Sequence, residues 1–338
     1  MAKKLKELIK KITELYGPSG REDQVRDFIK EQIKDHVDDI KTDKLGNLIA
    51  TKKGNSGKTI LFDAHMDEIG VVVTHILDKG FLKVEQVGGQ NPVNLIGSRL
   101  IFNGRIGVVG VEGESEKELK DNYKNLSLDN IFVDIGVSSK EEAEKIAPIG
   151  TFGTFAEGFV DYGNYCMSKA MDDRIGCAIL IETIKNMKDN QHTVLFAFTV
   201  QEEVGLVGSF VSTFDYEVNR AIAIDVTDSL DTPKALKRMS MALGKGPCIK
   251  IKDNLSVSDR EVVEWIKNAA LANNIPYQFE VLTFGGTNAA GYQRTKSGIP
   301  SGTISIPTRY IHSPHEMLSY SDVENTVKLL NTLSKTNF

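Results

Sequence analysis

The chain has 338 residues, of which 41% are hydrophobic and 26% are charged, and its formal net charge is −5. This length allows one large domain or two smaller ones, and the composition is ordinary for a globular protein. The mildly acidic balance argues against a nucleic-acid partner, and no apolar run reaches the ~18 residues that a membrane span needs.

The three cysteines, Cys166, Cys177 and Cys248, are an odd number without the spacing of a metal site. They predict buried, reduced thiols in a cytoplasmic protein. Lysines interrupt the apolar residues between Met1 and Ile12, so this segment lacks the continuous apolar stretch of a signal peptide.

The N-terminal segment predicts two amphipathic helices. Leucines and isoleucines recur at helical spacing from Leu5 to Leu15, and the dipeptide Gly17-Pro18 ends that pattern. Ser19 and Glu22 form a capping-box pattern, in which a serine hydroxyl accepts a hydrogen bond from the backbone at the start of a helix. We therefore expect Ser19 to cap the second helix.

The segment from Gly70 to Gly163 differs in composition from the rest of the chain. Before it, a hairpin around Leu45-Gly46 and the apolar run from Thr59 to Ala64 predict strands. Within it, short β-branched runs alternate with glycine-containing turns, and helical signal is confined to Ser139–Ile146. We interpret residues 70–163 as a small all-β, barrel-like domain that is inserted into a larger domain.

Strands and helices alternate from residue 164 to the C-terminus. Helices are predicted over 172–188, 206–213, 258–273 and 323–333, and strands over 193–200, 221–225, 278–282 and 303–306. This alternation is typical of a mixed sheet with helices on both faces. The sequence therefore predicts an α/β protein whose main domain comprises residues 1–69 and 164–338.

Acids and histidines occur at five places in the main domain, mostly where buried strands end. They are His65 with Asp67, the pair Asp172-Asp173, the pair Glu202-Glu203, Asp225, and His312. Ligands of open α/β sheets bind beyond the carboxyl ends of the strands, so these groups are expected to meet. Carboxylates gathered in one buried place repel each other unless cations neutralise them. The pattern predicts a hydrolase with two divalent metal ions.

Each of these residues also has an ordinary structural interpretation. His65 could cap its strand, and a carboxylate at position 172 is favoured by the dipole of the helix that it opens. The pair Glu202-Glu203 could lie in an exposed loop, or it could supply one metal ligand and one general base. Either His312 or His315 could be a ligand, and His315 could also lie on the surface.

Four segments resemble the glutamyl and deblocking aminopeptidases, a family of dinuclear metallopeptidases that often form tetrahedral particles. The segments are Asp63-Ala64-His65-Met66-Asp67-Glu68-Ile69-Gly70, Asp172-Asp173-Arg174-Ile175-Gly176, Gln201-Glu202-Glu203-Val204-Gly205 and Arg309-Tyr310-Ile311-His312-Ser313-Pro314. Gly17-Pro18-Ser19-Gly20 and Gly285-Gly286-Thr287 also match, and the resemblance extends from about residue 5 to residue 333. It implies a zinc-exopeptidase-like fold and the removal of N-terminal residues from peptides.

The resemblance also implies a set of metal ligands, which are His65, Asp172, Glu203, Asp225 and His312. Asp172 would bridge two ions, one shared with His65 and Asp225 and the other with Glu203 and His312. Zinc is the expected metal, although cobalt and manganese accept the same donors.

Further implications concern catalysis and assembly. Glu202 would be the general base, Asp67 would orient the His65 ring, and the peptide bond between Asp172 and Asp173 would be cis. The inserted domain would form dimers, and these would join into a dodecamer. The family usually has aspartate where this chain has Asn288, which puts the substrate preference in question if that loop lines the pocket.

Three other functions remain open. A deacylase could use the same metal pair on N-acyl amino acids. A metal-free glycosidase could use paired acids, although adjacent Glu202 and Glu203 are poorly placed to flank one bond at a separation of roughly 5–9 Å. A non-catalytic binding protein could retain the fold, but the presence of every candidate ligand argues against it.

Overall fold

The computed structural model describes residues 2–235 and 239–338. Within these residues the helices are α1 (Ala2–Glu14), α2 (Asp23–Ile33), α3 (Pro92–Leu95), α4 (Glu116–Lys124), α5 (Lys140–Ile146), α6 (Met171–Asn186), α7 (Val207–Val211), α8 (Arg260–Ala272), α9 (Ala289–Arg294) and α10 (Tyr320–Leu333).

The strands of the same residues are β1 (Asp39–Thr42), β2 (Leu48–Lys52), β3 (Thr59–His65), β4 (Gly70–Ile76), β5 (Leu82–Val87), β6 (Arg99–Phe102), β7 (Arg105–Val111), β8 (Ile131–Asp134), β9 (Phe152–Phe155), β10 (Val160–Asp161), β11 (Tyr165–Ser168), β12 (Thr193–Thr199), β13 (Arg220–Asp228), β14 (Cys248–Lys252), β15 (Gln278–Val281), β16 (Ser301–Arg309) and β17 (Glu316–Ser319).

A mixed sheet of eleven strands forms the larger unit, with the order β1-β2-β12-β3-β13-β16-β17-β11-β10 and with β14 joining β16 to β15. Its centre is parallel, since β12 and β13 both run parallel to β3, and β16 runs parallel to β13. The carboxyl ends of these four strands therefore meet at one edge of the sheet.

Side-chain alternation along β3 shows why the sheet is covered on both faces. Ile60 and Phe62 pack into a core that includes residues of α1, α2, α6, α8 and α10. Leu61 faces the other way and packs with Tyr292 of α9. A strand that is buried on both faces reads as a continuous apolar run, which is how the segment 59–64 appears in the sequence. The predicted α/β class with helices on both faces is confirmed.

The strands β4, β5, β8, β7, β6 and β9 close into a small barrel. It has a separate apolar core, in which Val71, Leu100, Phe102 and Val133 are fully buried. These strands lie within residues 70–155, whereas β10 pairs with β11 in the large sheet. The insertion of a small β domain agrees with the sequence, while its exact bounds of 70–163 and its role in dimerisation stay predictions.

The helix α4 is an element that the sequence pattern did not predict. None of its residues is buried, so it lacks the apolar stripe that periodicity detects. Its start is nevertheless marked, because Ser115 Oγ accepts a hydrogen bond from Glu118 N and Glu118 accepts one from Glu114 N. A serine followed three residues later by glutamate is the signal that could have identified it.

The predicted cap of the second helix is wrong. Ser19 Oγ donates a 2.7 Å hydrogen bond to Asp67 Oδ2, and α2 begins later, after Glu22. Glu22 Oε1 accepts hydrogen bonds from the backbone N–H groups of Gly20 and Gln201. A hydrogen bond to a buried carboxylate is stronger than one with a neutral backbone N–H group, so the hydroxyl of Ser19 binds Asp67.

Two further predictions concern the cysteines and membrane-spanning helices. Cys166, Cys177 and Cys248 are buried and form no disulfide, as expected. None of the helices in the described ranges has both the length and the apolar character that a bilayer crossing requires.

Candidate metal centre and active site

The predicted ligands and the predicted base line one cavity of about 500 Å³ at the carboxyl edge of the sheet. β3 ends at His65, β12 ends just before Glu202 and Glu203, and Asp225 lies near the end of β13. The start of α6 brings Asp172, and the loop after β16 brings His312. Groups that are up to 247 residues apart in sequence, counted from His65 to His312, thus converge on one space.

Asp172 and Asp173 divide two tasks between them. Asp173 Oδ1 accepts a hydrogen bond from Gly176 N, so Asp173 takes the role at the helix start that the sequence analysis allows for Asp172. Asp173 Oδ2 accepts a second hydrogen bond from His65 N. Asp172 lines the cavity instead, and the peptide bond that joins the two aspartates is cis.

Asp172 lies between the two histidines. Its Oδ1 is 3.1 Å from His65 Nε2, and its Oδ2 is 3.4 Å from His312 Nε2. His312 Nε2 is also 3.3 Å from Glu203 Oε1. One oxygen on each side is the arrangement that a bridging carboxylate needs.

Three groups of potential ligand atoms have all their atoms within 4.8 Å of one another among the described residues. One is Asp172, Glu203 and His312, the set that the resemblance implies for one metal. The second combines His65 and Asp225 with Asp173, where the resemblance implies Asp172. The third is His65 with Glu202 and Glu203. Asp173 is therefore an additional candidate, although both of its oxygens already accept backbone hydrogen bonds.

Asp67 is buried behind the cavity and holds two of the segments that form it. His65 Nδ1 lies 3.1 Å from the Asp67 carbonyl oxygen and 3.3 Å from its Oδ1. The carboxylate of Asp67 also accepts hydrogen bonds from Glu202 N at 3.0 Å and Glu203 N at 3.2 Å. Asp67 consequently fixes the turn that presents both glutamates, a role that the sequence did not indicate.

The protein alone does not neutralise these acids. Burial and the charge of Asp172 raise the pKa of Asp225 to about 8. Burial, with repulsion from Asp225 and Glu203, raises the pKa of Glu202 well above its usual value. Burial opposes the charged form of His312, but Glu203 and Asp172 raise its pKa to about 12. Bound cations would relieve the repulsion and release protons from the imidazoles, so this donor set fits divalent metal ions.

Glu316 is a site residue that sequence reasoning missed. Its Oε2 accepts a hydrogen bond from Asp172 N at 3.0 Å, and its Oε1 accepts one from His312 N at 2.8 Å. It therefore fixes the backbone of two candidate ligands while lying outside the cavity. The exposed His315 lies beside it and does not line this cavity, so His312 is the histidine that the fold brings to the site.

Gly285 and Gly286 of the glycine loop line the cavity, whereas Asn288 does not, so the effect of Asn288 on the substrate preference stays a prediction. Its side chain is buried, and Nδ2 donates hydrogen bonds to Asp63 Oδ2 at 2.9 Å and Thr199 Oγ1 at 2.8 Å. Tyr292 OH donates a third hydrogen bond to this network, to Asp63 Oδ1. Asn288 thus supports β3 at Asp63, which lies two residues before His65.

A second buried charged cluster lies next to the site and was also missed. Lys169 Nζ donates to both oxygens of Glu68, at 2.8 and 2.7 Å, and Arg174 Nη2 lies 3.4 Å from Glu68 Oε1. All three side chains are at most 5% exposed. No spacing rule predicts such a cluster, because its members come from separate segments.

Comparisons with known proteins identify the family of the chain. Residues 46–329, well over half of the chain, match the family described as M42 glutamyl aminopeptidase. A lysyl aminopeptidase of Pyrococcus furiosus is 37% identical over 336 residues, covering 97% of this chain and 96% of the relative.

Solved structures give the same result. The aminopeptidase APDkam598 of Desulfurococcus kamchatkensis superposes with a TM-score of 0.93 at 37% identity, covering 99% of this chain and 95% of the other. The TET1 peptidase of Pyrococcus horikoshii, described as assembling into a tetrahedron or a large octahedral shell, gives 0.86 at 35% identity, covering 98% and 100%. The chain belongs to the M42 glutamyl aminopeptidase family.

Proposed function

We propose that this protein is a dinuclear metal-dependent aminopeptidase that removes N-terminal residues from peptides. The observation that carries the proposal is the convergence of His65, Asp172, Glu203, Asp225 and His312 on one cavity. The negative charge of their carboxylates exceeds the positive charge that the neighbouring histidines can supply. Membership of an aminopeptidase family supports the reaction class.

Asp172 would be shared between the two ions, with His65 and Asp225 completing one site and Glu203 and His312 the other. Zinc is the metal that we propose, and cobalt or manganese fits the same nitrogen and oxygen donors. Divalent ions bound there would supply a water of lowered pKa and polarise the scissile carbonyl.

Glu202 is the group that we assign as general base. Its raised pKa, caused by burial and by repulsion from Asp225, suits a carboxylate that takes a proton from water and returns it to the leaving amine. Asp67 positions Glu202 through the 3.0 Å hydrogen bond from Glu202 N. The same residue orients His65, so one buried acid aligns the base with a ligand.

The decisive experiment is the substitution Glu202→Gln. It should lower kcat by about 10²–10⁴, because the amide cannot accept the proton, while elemental analysis still finds two metal ions per subunit. Glu116→Gln is the matched control, since that side chain is 94% exposed. A metal-loaded Glu202→Gln enzyme with near-normal kcat would remove the base assignment.

The deacylase alternative is separated by substrate. An aminopeptidase should hydrolyse peptides with a free N-terminal amine and should not hydrolyse N-acetylated amino acids. The reverse preference would assign the same metal site to a deacylase.

We also propose that the chain forms a homo-oligomer in which the barrel mediates dimers that join into a dodecamer. The barrel segment presents large apolar side chains to solvent, which is typical of a protein interface. They are Val93, Ile106, Val108, Tyr123 and Ile149. Light scattering should give the mass of an assembly, and Val108→Lys should reduce it. A monomeric wild-type protein would contradict this proposal.

A further inference from the structure

The cavity extends beyond the proposed metal ligands. Among the residues that the structure describes, Lys250 and Asp228 are the charged residues that line it outside the group of ligands and base. Its apolar lining includes Leu255, Leu282 and Phe284. Leu255 and Phe284 are 40% and 48% exposed, so a substrate side chain would find apolar surface to cover.

Lys250 reaches this space from a buried position with two acidic neighbours. Lys250 on β14 is the direct cross-strand partner of Glu280 on β15. Its Nζ lies 3.0 Å from Glu280 Oε1 and 3.5 Å from Asp253 Oδ2. All three side chains are at most 1% exposed. The charge of the ammonium is therefore compensated by Glu280, although Nζ forms no hydrogen bond with correct geometry among the described residues and Lys250 lines the cavity.

The two acids are held in place differently. Glu280 Oε1 also accepts a 2.9 Å hydrogen bond from Thr227 Oγ1, while its Oε2 receives none from the described residues. Asp253 Oδ1 accepts hydrogen bonds from Leu255 N and Ser256 N, which fix its loop. Glu280 is thus the acid whose charge is committed to Lys250, whereas Asp253 also organises a turn.

We infer that the ion pair of Lys250 and Glu280 sets the substrate preference of this cavity by making it select an uncharged, apolar N-terminal residue. An acidic side chain would find the Lys250 charge already paired with Glu280. A basic side chain would approach that same ammonium. An apolar side chain would gain burial against Leu255 and Phe284 and would leave the ion pair of Lys250 and Glu280 undisturbed. This inference rests on the proposed aminopeptidase function.

Charge substitutions should convert this preference in opposite directions. Glu280→Gln frees the ammonium and should raise kcat/KM for a glutamyl p-nitroanilide relative to leucyl p-nitroanilide by about tenfold or more. Lys250→Met leaves Glu280 and Asp253 unpaired and should raise the lysyl-to-leucyl ratio by about the same factor. Both ratios are measured on metal-loaded enzyme.

The double variant Lys250→Met with Glu280→Gln is the charge-conserving control. It removes one charge of each sign, so the glutamyl and lysyl ratios should stay close to those of the wild type. It leaves Asp253 without the lysine, but Asp253 Oδ1 keeps its hydrogen bonds from Leu255 N and Ser256 N, so the double variant should fold where Lys250→Met alone does not.

Two results would overturn the inference. One is a wild-type enzyme that hydrolyses glutamyl or lysyl substrates faster than leucyl substrate. The other is a folded Glu280→Gln variant with unchanged ratios. Failure of the proposed function has a different signature, because wild-type protein loaded with zinc, cobalt or manganese would then release none of the three residues.

Discussion

Two buried charged clusters of the main domain, the group around Glu68 and the candidate metal site, lie side by side, yet they differ in how their charge is neutralised. Glu68 has Lys169 within 2.7 Å and Arg174 within 3.4 Å. Asp172 and Asp225 line a cavity, and their positive neighbours among the described residues are histidines and a more distant lysine. Buried charges are stable when they are paired and costly when they are not. The cluster of Asp172 and Asp225, called the unpaired cluster below, is therefore the one that we expect to bind external cations.

The paired cluster has a structural task that explains its burial. Arg174 donates hydrogen bonds to the carbonyl oxygens of Ile12, Leu15 and Gly17, at 3.0, 3.3 and 3.1 Å. These carbonyls lie at the end of α1 and just beyond it, where no helical N–H group remains to bind them. A guanidinium satisfies several acceptors at once, and Glu68 balances its charge.

Removal of bound metal should have the largest effect. It should change the charge balance of the unpaired cluster and leave the pairing of Glu68 intact. Exhaustive chelation should abolish peptidase activity, and adding zinc, cobalt or manganese should restore it. Since cations bind the folded state, removal should also lower the free energy of unfolding, by about 2.7 kcal/mol for each site held at a hundredfold excess over its Kd. Activity assays and thermal unfolding measure the two effects. Full activity in protein that elemental analysis shows to be metal-free would show that the unpaired cluster functions without cations.

Glu68→Gln should have the next largest effect, on stability. It leaves Lys169 and Arg174 buried without their counter-charge, which should cost about 3–5 kcal/mol in denaturant unfolding. The folded variant should keep its metal content, because Glu68 does not line the cavity. Glu85→Gln, at an exposed position, serves as the control. A loss below ~1 kcal/mol would mean that the pairing is not what stabilises this cluster.

Asn288→Asp would introduce an unpaired acid beneath the site. Burial already raises the pKa of Asp63 to about 6, and the substitution replaces its Asn288 donor with a second carboxylate. The folded state would then bind more protons than the unfolded state above pH ~4, so stability should fall as the pH rises. We expect a loss of about 1–3 kcal/mol at pH 8 and a smaller one at pH 5, measured by urea unfolding.

The swap Asp63→Asn with Asn288→Asp restores one carboxylate and one amide across the same hydrogen bond. It should recover most of the loss at pH 8. Equal losses at both pH values would show that packing, and not charge, is responsible for the effect of Asn288→Asp.

Asp231→Asn should have the smallest effect. Partial burial opposes ionisation of Asp231, but its two hydrogen bonds from Arg309 lower its pKa to about 2. This depressed pKa contributes stability that is fully present above pH ~4 and is lost as the pH falls towards 2. Because the pair is partly exposed, the variant should lose at most about 1 kcal/mol at pH 5 and less at pH 3. A loss that grows on acidification would contradict the assignment.

Apolar patterns predicted the fold where they were long and regular. The runs at 59–64 and 193–200 appear as the buried strands β3 and β12. The capping motif at Ser19 does not cap α2, because its hydroxyl has a stronger partner in Asp67, 48 positions away along the chain. Local rules rank only local partners, so they cannot detect this competition.

Residue types at strand ends also predicted the members of the candidate site, since parallel strands must end at a common edge. The supporting residues could not be predicted in this way. Glu316, Lys250 and Glu280 are ordinary surface residue types in sequence, and only their burial gives them a role.

The sequence by itself determined the α/β class, the inserted β segment and the acids and histidines that gather at one edge. Periodicity and strand-end position are local properties, so they can be read along the chain. Only the tertiary structure decided which charges are paired, which oxygens of Asp172 face which histidine, and which side of the cavity is apolar. Those outcomes depend on distance and burial, because the electrostatic free energy of a side chain is set by what surrounds it in space.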